Sequence, residues 1–129
     1  MKMIYSNYGE CYVVESEDII YCQADDHYTH VYYDLDEHVM LPFGLAHIEE
    51  GVKKSEVIAK YLVRTGRKYI INLNKIFHVN MLKQEVVLLS NSGKHITLHV
   101  SRPACQTLMD ILTTGEIEWV SMITVPRRA

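Results

Sequence analysis

Apolar residues in this chain come in short runs broken by polar punctuation, and no run is long. Residues 17–23, rich in Ile and Tyr, predict a strand. Residues 29–33 predict a second, with Asp25, Asp26 and His27 as a polar connector. Residues 34–37 form a charged turn, and residues 38–41 return as a third strand. Leu45, Ile48 and Val52 then fall at i, i+3 and i+7, which predicts a short amphipathic helix over about 45–54.

The second half repeats the alternation. Residues 75–79 and 85–89 predict strands, and Asn91-Ser92-Gly93 supplies a hairpin turn. Ile96, Leu98 and Val100 fall on one face of the next strand; His95, Thr97, His99 and Ser101 fall on the other. Pro103 disfavours the α region for the residue before it and suits a first helical position. Arg102 is therefore expected extended, at a strand-to-helix corner whose free N–H groups attract phosphate. Cys105, Leu108, Met109 and Leu112 continue at helical spacing, and residues 113–115 end the helix.

The pattern predicts a mainly β domain with short helices over residues 1–115. Residues 116–129 carry Ile117, Trp119, Val120, Met122, Ile123 and Val125. So apolar a tail predicts an extra strand or a subunit contact.

Length and composition narrow the class. At 129 residues the chain is one domain and can bury roughly two-thirds of its unfolded surface. No apolar run approaches the roughly 18 residues of a membrane span, and the first residues lack a signal-peptide core, so the chain reads as cytoplasmic. Cys11, Cys22 and Cys105 are odd in number and widely spaced, which predicts reduced, mostly buried thiols.

Net charge is −3, but its distribution is uneven. Residues 1–59 carry three Lys/Arg against twelve Asp/Glu, whereas residues 60–102 carry eight against one, Glu85. Such asymmetry suggests a local polyanion site, or two halves that neutralise each other across the fold.

Enzyme chemistry finds little support. His27 and His30 make an HxxH, but zinc sites need further ligands. HExxH, GxSxG and phosphate-loop patterns are absent. The expectation is therefore no catalysis, no metal and no cofactor. The basic residues point elsewhere: Arg64, Arg67, Lys68, Lys75 and Arg102, accompanied by Gly66 and Ser101. Arginine pairs bidentately with guanine or phosphate, and Gly66 frees the backbone for a bend. The bland alternative pairs Arg64 with a carboxylate from the acidic half and leaves Arg67 and Lys68 as a solvated turn.

These residues resemble a known family. Val63-Arg64-Thr65-Gly66-Arg67-Lys68-Tyr69-Ile70-Ile71-Asn72-Leu73 is similar to the F-x-R-x-H-R-S-Y-(I/L)-V-N-L segment of LytTR DNA-binding domains. Ser101-Arg102 resembles that family's closing S-R, Asp18-Ile19-Ile20-Tyr21 with His27-Tyr28 its opening motif, and residues 88–93 its Gly-containing hairpin. The resemblance covers about residues 5–112.

It implies an elongated β-sandwich of about ten strands that binds promoter DNA through loops entering successive major grooves. Three contact regions follow from it: His27, Tyr28, Thr29 and His30; Gly66, Arg67 and Lys68; and Arg102. It also implies a transcriptional regulator acting on direct-repeat duplex sites, as a homodimer or as two copies. The chain starts directly at the β domain, which is read as a standalone member without a receiver domain, controlled by a protein inhibitor or sensor partner, by oligomerisation or by abundance. Two positions depart from the pattern. Gly66 replaces the usual histidine and Lys68 the usual serine, implying a shift from base reading toward phosphate contact. The competing expectations are a protein-interaction module with a degenerate DNA surface and, behind it, a metal-binding protein centred on His27 and His30.

Overall fold

Strand alternation, run twice over a central sheet, sets the architecture. The computed structural model describes residues 1–114. A hairpin of β1 (Lys2–Asn7) and β2 (Glu10–Glu15) comes first. Then follow β3 (Tyr21–Asp25), β4 (Tyr28–Tyr32), β5 (His38–Leu41), and the helices α1 (Leu45–Lys53) and α2 (Glu56–Ala59). Strands β6 (Leu62–Thr65), β7 (Tyr69–Asn72), β8 (Ile76–Asn80), β9 (Glu85–Leu89) and β10 (His95–His99) lead to α3 (Arg102–Thr114). A five-stranded sheet runs β5-β4-β3-β7-β6 and a three-stranded sheet β10-β9-β8, with all pairings antiparallel.

The five-stranded sheet is covered on both faces. Cys22, Val31, Leu62 and Ile70 pack with Met3, Tyr5 and Val14 of the hairpin and with Leu45, Ile48 and Val52 of α1. Tyr21 and Ile71 join Val86, Leu88, Ile96 and Leu98 of the small sheet and Cys105 and Leu108 of α3. Neighbours such as Tyr21 and Cys22, or Ile70 and Ile71, therefore serve opposite cores. This is why the central strands read as unbroken apolar runs: both of their faces are buried. Each fully buried Leu, Ile or Val contributes roughly 1.5–3 kcal/mol.

Gly51 is required by packing. The Tyr5 hydroxyl donates to the Ile48 carbonyl at 2.8 Å, and a Cβ on Gly51 would meet the Tyr5 ring at 2.5 Å. The β1–β2 hairpin can lie on α1 only because that position carries no side chain.

Two strand predictions shift where a short 3₁₀ turn takes the first positions. Residues 16–18 form a 3₁₀ turn, and β3 starts only at Tyr21. Buried Ser16 ties its hydroxyl and its amide to the Met1 carbonyl, at 2.6 and 3.0 Å. Leu73–Lys75 is likewise a 3₁₀ turn, where the Asn72 side chain accepts from the Asn74 amide at 2.9 Å, so β8 starts at Ile76. At Asn72 a local side-chain bond outweighs strand propensity, whereas at Ser16 the bonds reach back to the first residue of the chain. The tail from residue 116, expected as a strand or subunit contact, lies outside the described residues.

Candidate nucleic-acid interface

Strands β6 and β7 pair through Thr65 and Tyr69, leaving a three-residue turn, Gly66–Lys68. Gly66 has φ +70°, a conformation that side chains disfavour. Arg64 closes the turn from behind. Its Nε donates to the Gly66 carbonyl at 2.9 Å and its Nη2 to the Arg67 carbonyl at 3.2 Å. Its Nη1 donates to Glu49 Oε1 of α1, also at 3.2 Å. The pairing of Arg64 with a carboxylate from the acidic half is thus realised, and this side chain is only 27 % exposed. Arg67 and Lys68 are exposed, with no hydrogen-bond or ion-pair partner for their side chains among the described residues.

Sheet pairing brings the other turns to the same end. Strands β3 and β7 are antiparallel neighbours, and beyond their last ladder pair the Ala24 amide donates to the Lys68 carbonyl at 2.8 Å. The β3–β4 hairpin ends in the two-residue turn Asp26-His27, with Asp26 at φ +53° as tight hairpins require of a turn residue. His27 and Tyr28 are exposed. His30 is bound through Nε2 to Asp25 Oδ2 at 2.8 Å, and its ring lies 5.0 Å from that of His38.

Thr29 corrects an expectation. It alternates into the core, is fully buried, and donates its hydroxyl to the Phe43 carbonyl at 2.8 Å. Residues 27–30 are not one loop: Tyr28 already begins β4.

The third region also differs from its expected geometry. Arg102 is the first residue of α3 rather than an extended strand end. Ser101 supplies the cap: its carbonyl accepts from the Cys105 amide at 2.9 Å and its hydroxyl from the Ala104 amide at 3.3 Å. Pro103 sits second in the helix, where its missing N–H costs nothing. The cap overrides the local bias that Pro103 places on Arg102. Arg102 is exposed and, among the described residues, makes no side-chain bond.

A cleft of about 340 Å³ joins the last two regions, lined by Gly66, Arg67, Lys68, His99 and Ser101 among others. His99 was absent from the predicted site. The available signal was its place on the polar face of β10, two residues before Ser101.

Lys75 lies elsewhere. Strand β7 leads away from the basic turn, and Lys75 follows it, donating from Nζ to Asn91 Oδ1 at 2.7 Å in the β9–β10 turn. The length of β10, about 16 Å at 3.3 Å per residue, separates that turn from Ser101. The same remote end holds Asp34, whose carboxyl is kept below the usual range by the Leu35 amide and then by the Ser92 hydroxyl.

The basic segment is therefore only partly neutralised. Among the described residues, Arg64 and Lys94 pair with acids, while Arg67, Lys68 and Arg102 do not. Compared with known protein families, the chain matches the LytTr DNA-binding domain over residues 9–113. It belongs to the LytTR DNA-binding domain family. The LytTR match takes in all three regions gathered at this end of the sheet. Among solved structures, the chain is similar to the LytTr DNA-binding domain of a Bacillus cereus protein assigned as a methyl-accepting/DNA response regulator. The identity is 17 %, the TM-score 0.58, and the likeness covers 87 % of this chain and 96 % of that one. That likeness carries the fold: among the described residues, ten strands with few, short helices. No curated protein matches the chain.

Among the described residues, no group of three or more His, Cys, Asp or Glu is placed to hold a metal ion, and no helix is long and apolar enough to cross a membrane.

Proposed function

We propose that this LytTR chain is a cytoplasmic, non-enzymatic regulator of transcription that reads promoter DNA through the end of its five-stranded sheet. The observation that carries the reading is convergence. The Asp26-His27 turn, the Gly66–Lys68 turn and the Ser101-Arg102 corner lie at one end, and that end carries three exposed cations without an ion-pair partner among the described residues. Two-stranded β ribbons fit a major groove about 12 Å wide, and the first two regions are ribbon tips. In this reading Arg67 and Arg102 contact bases or phosphates, Lys68 contacts phosphate, and His27 and Tyr28 meet an adjacent groove. Two copies, or a homodimer, occupy direct repeats.

Selection of bound duplexes from a random pool, followed by gel-shift titration on the selected site, tests the proposal. Arg67→Ala and Arg102→Ala are each expected to cost about 1–3 kcal/mol of binding, the value of a lost bidentate pair. Each phosphate contact removed should lower the log–log salt slope by about 0.9. A double variant that binds like the wild type would sink the assignment.

A further inference from the structure

Arg64 is one of the cations of the basic segment, yet its geometry differs from that of its neighbours. All three guanidinium nitrogens are engaged: Nε with the Gly66 carbonyl, Nη2 with the Arg67 carbonyl and Nη1 with Glu49. Two of the acceptors belong to the turn itself, and the third belongs to a different element, α1. Glu49 is itself held in place. It stands beside Ile48, which is buried against the sheet, and its other oxygen lies 3.7 Å from Lys53 Nζ. A planar fork with fixed donor directions can span three acceptors in this way; an ammonium on a flexible stem cannot.

We infer that Arg64 is a positioning residue for DNA recognition, a strut from Glu49 of α1 to the back of the Gly66–Lys68 turn, and not itself a DNA contact. The inference rests on the proposed function for its consequence in binding, but the strut is a property of the free protein. Gly66 gives the turn its freedom of backbone, and without a brace that freedom would spread Arg67 over many orientations. Arg64 removes it by fixing two successive carbonyl directions in the turn. The Lys68 carbonyl is fixed from the other side by the Ala24 amide. The turn is thus held from both α1 and β3, and Arg67 and Lys68 project from a rigid base.

Contact and strut make opposite predictions. If Arg64 reached phosphate, Arg64→Ala would lower the salt slope by about 0.9, as for any lost phosphate contact. Glu49→Ala would release Arg64 toward DNA and tighten binding. On the strut reading, Arg64→Ala weakens binding to the selected site about tenfold or more, the scale of lost charge-assisted hydrogen bonds, with the slope unchanged. Glu49→Ala weakens it too, and Arg64→Lys, which keeps the charge but not the fork, fails to restore it.

Hydrogen exchange in the DNA-free protein supplies the second readout. In Arg64→Ala and in Glu49→Ala the Ala24 amide should exchange faster, while those of Val86 and Leu88 stay protected. Unchanged exchange at Ala24, tighter binding by Glu49→Ala, or full rescue by Arg64→Lys overturns the inference. Should Arg64→Ala not fold, Glu49→Ala decides by the same two measurements. A wild-type chain that binds no DNA overturns the proposed function instead, and the exchange result still decides whether Arg64 holds the turn.

Discussion

The Ala24 amide donates to the Lys68 carbonyl at 2.8 Å, forty-four positions along the chain. That bond continues the β3–β7 pairing past its last ladder pair and fixes the Asp26-His27 turn beside the basic turn. Two regions far apart in sequence thereby become one surface.

Gly66 is expected to be replaceable only at a conformational cost. A Cβ there would find Ala104 Cβ at 3.9 Å, an ordinary contact, so space is not the obstacle. The positive φ is. Gly66→Ala should lower stability by about 1–2 kcal/mol in urea unfolding, and Gly66→Asn by less, because Asn tolerates this region better. Gly66→His, which restores the residue usual in relatives, should pay the same strain yet change the sequences recovered from a random pool.

Asn72 is expected to be structural. It is buried, its amide nitrogen donates to the Ile19 carbonyl at 2.9 Å, and its oxygen accepts from the Asn74 amide at 2.9 Å. Asn72→Ala leaves both main-chain groups without these partners, for a loss of about 2–3 kcal/mol in urea unfolding at unchanged m-value. Loss of DNA affinity at temperatures where the variant remains folded would contradict a purely structural role.

Asp26 places a negative charge on the proposed DNA face, 81 % exposed and 3.7 Å from the His27 ring nitrogen. Asp26→Asn removes the charge and keeps a residue type that accepts positive φ. Duplex affinity at low salt should rise about two- to five-fold and the gain should fade as salt screens it. Asp36→Asn, at the far end beside Lys94, should change nothing in the same titration.

The three thiols should react unequally. Cys11 is exposed, whereas Cys22 and Cys105 are buried. Burial pushes the Cys22 thiol up to about 12 and raises that of Cys105 as well. Iodoacetamide at pH 8 should therefore label native protein once, at Cys11, and label all three thiols after unfolding, as read by mass spectrometry. The linkage has a definite sign. Between the free-thiol value of about 8.5 and about 12, the unfolded chain has released a proton that folded Cys22 keeps, so stability should fall as pH rises through that window.

Periodicity and turn chemistry alone determined much of this molecule. Alternation of Ile96, Leu98 and Val100 gave the face of β10 that is buried, residues 85–89 are β9 as expected, and the i, i+3, i+7 spacing of Leu45, Ile48 and Val52 marks the buried stripe of α1. The basic segment and its motif were legible because they are contiguous. The tertiary structure decided what no local pattern carries. It sent Thr29 into the core, set Lys75 at the opposite end of the sheet, and spent Arg64 on Glu49 and the turn. Each of these depends on which strands become neighbours, and β3 meets β7 only by closing a loop of more than forty residues. Side-chain period says which face a residue occupies. Strand order says what it meets there, and that order is settled by burying both faces of the central sheet at once.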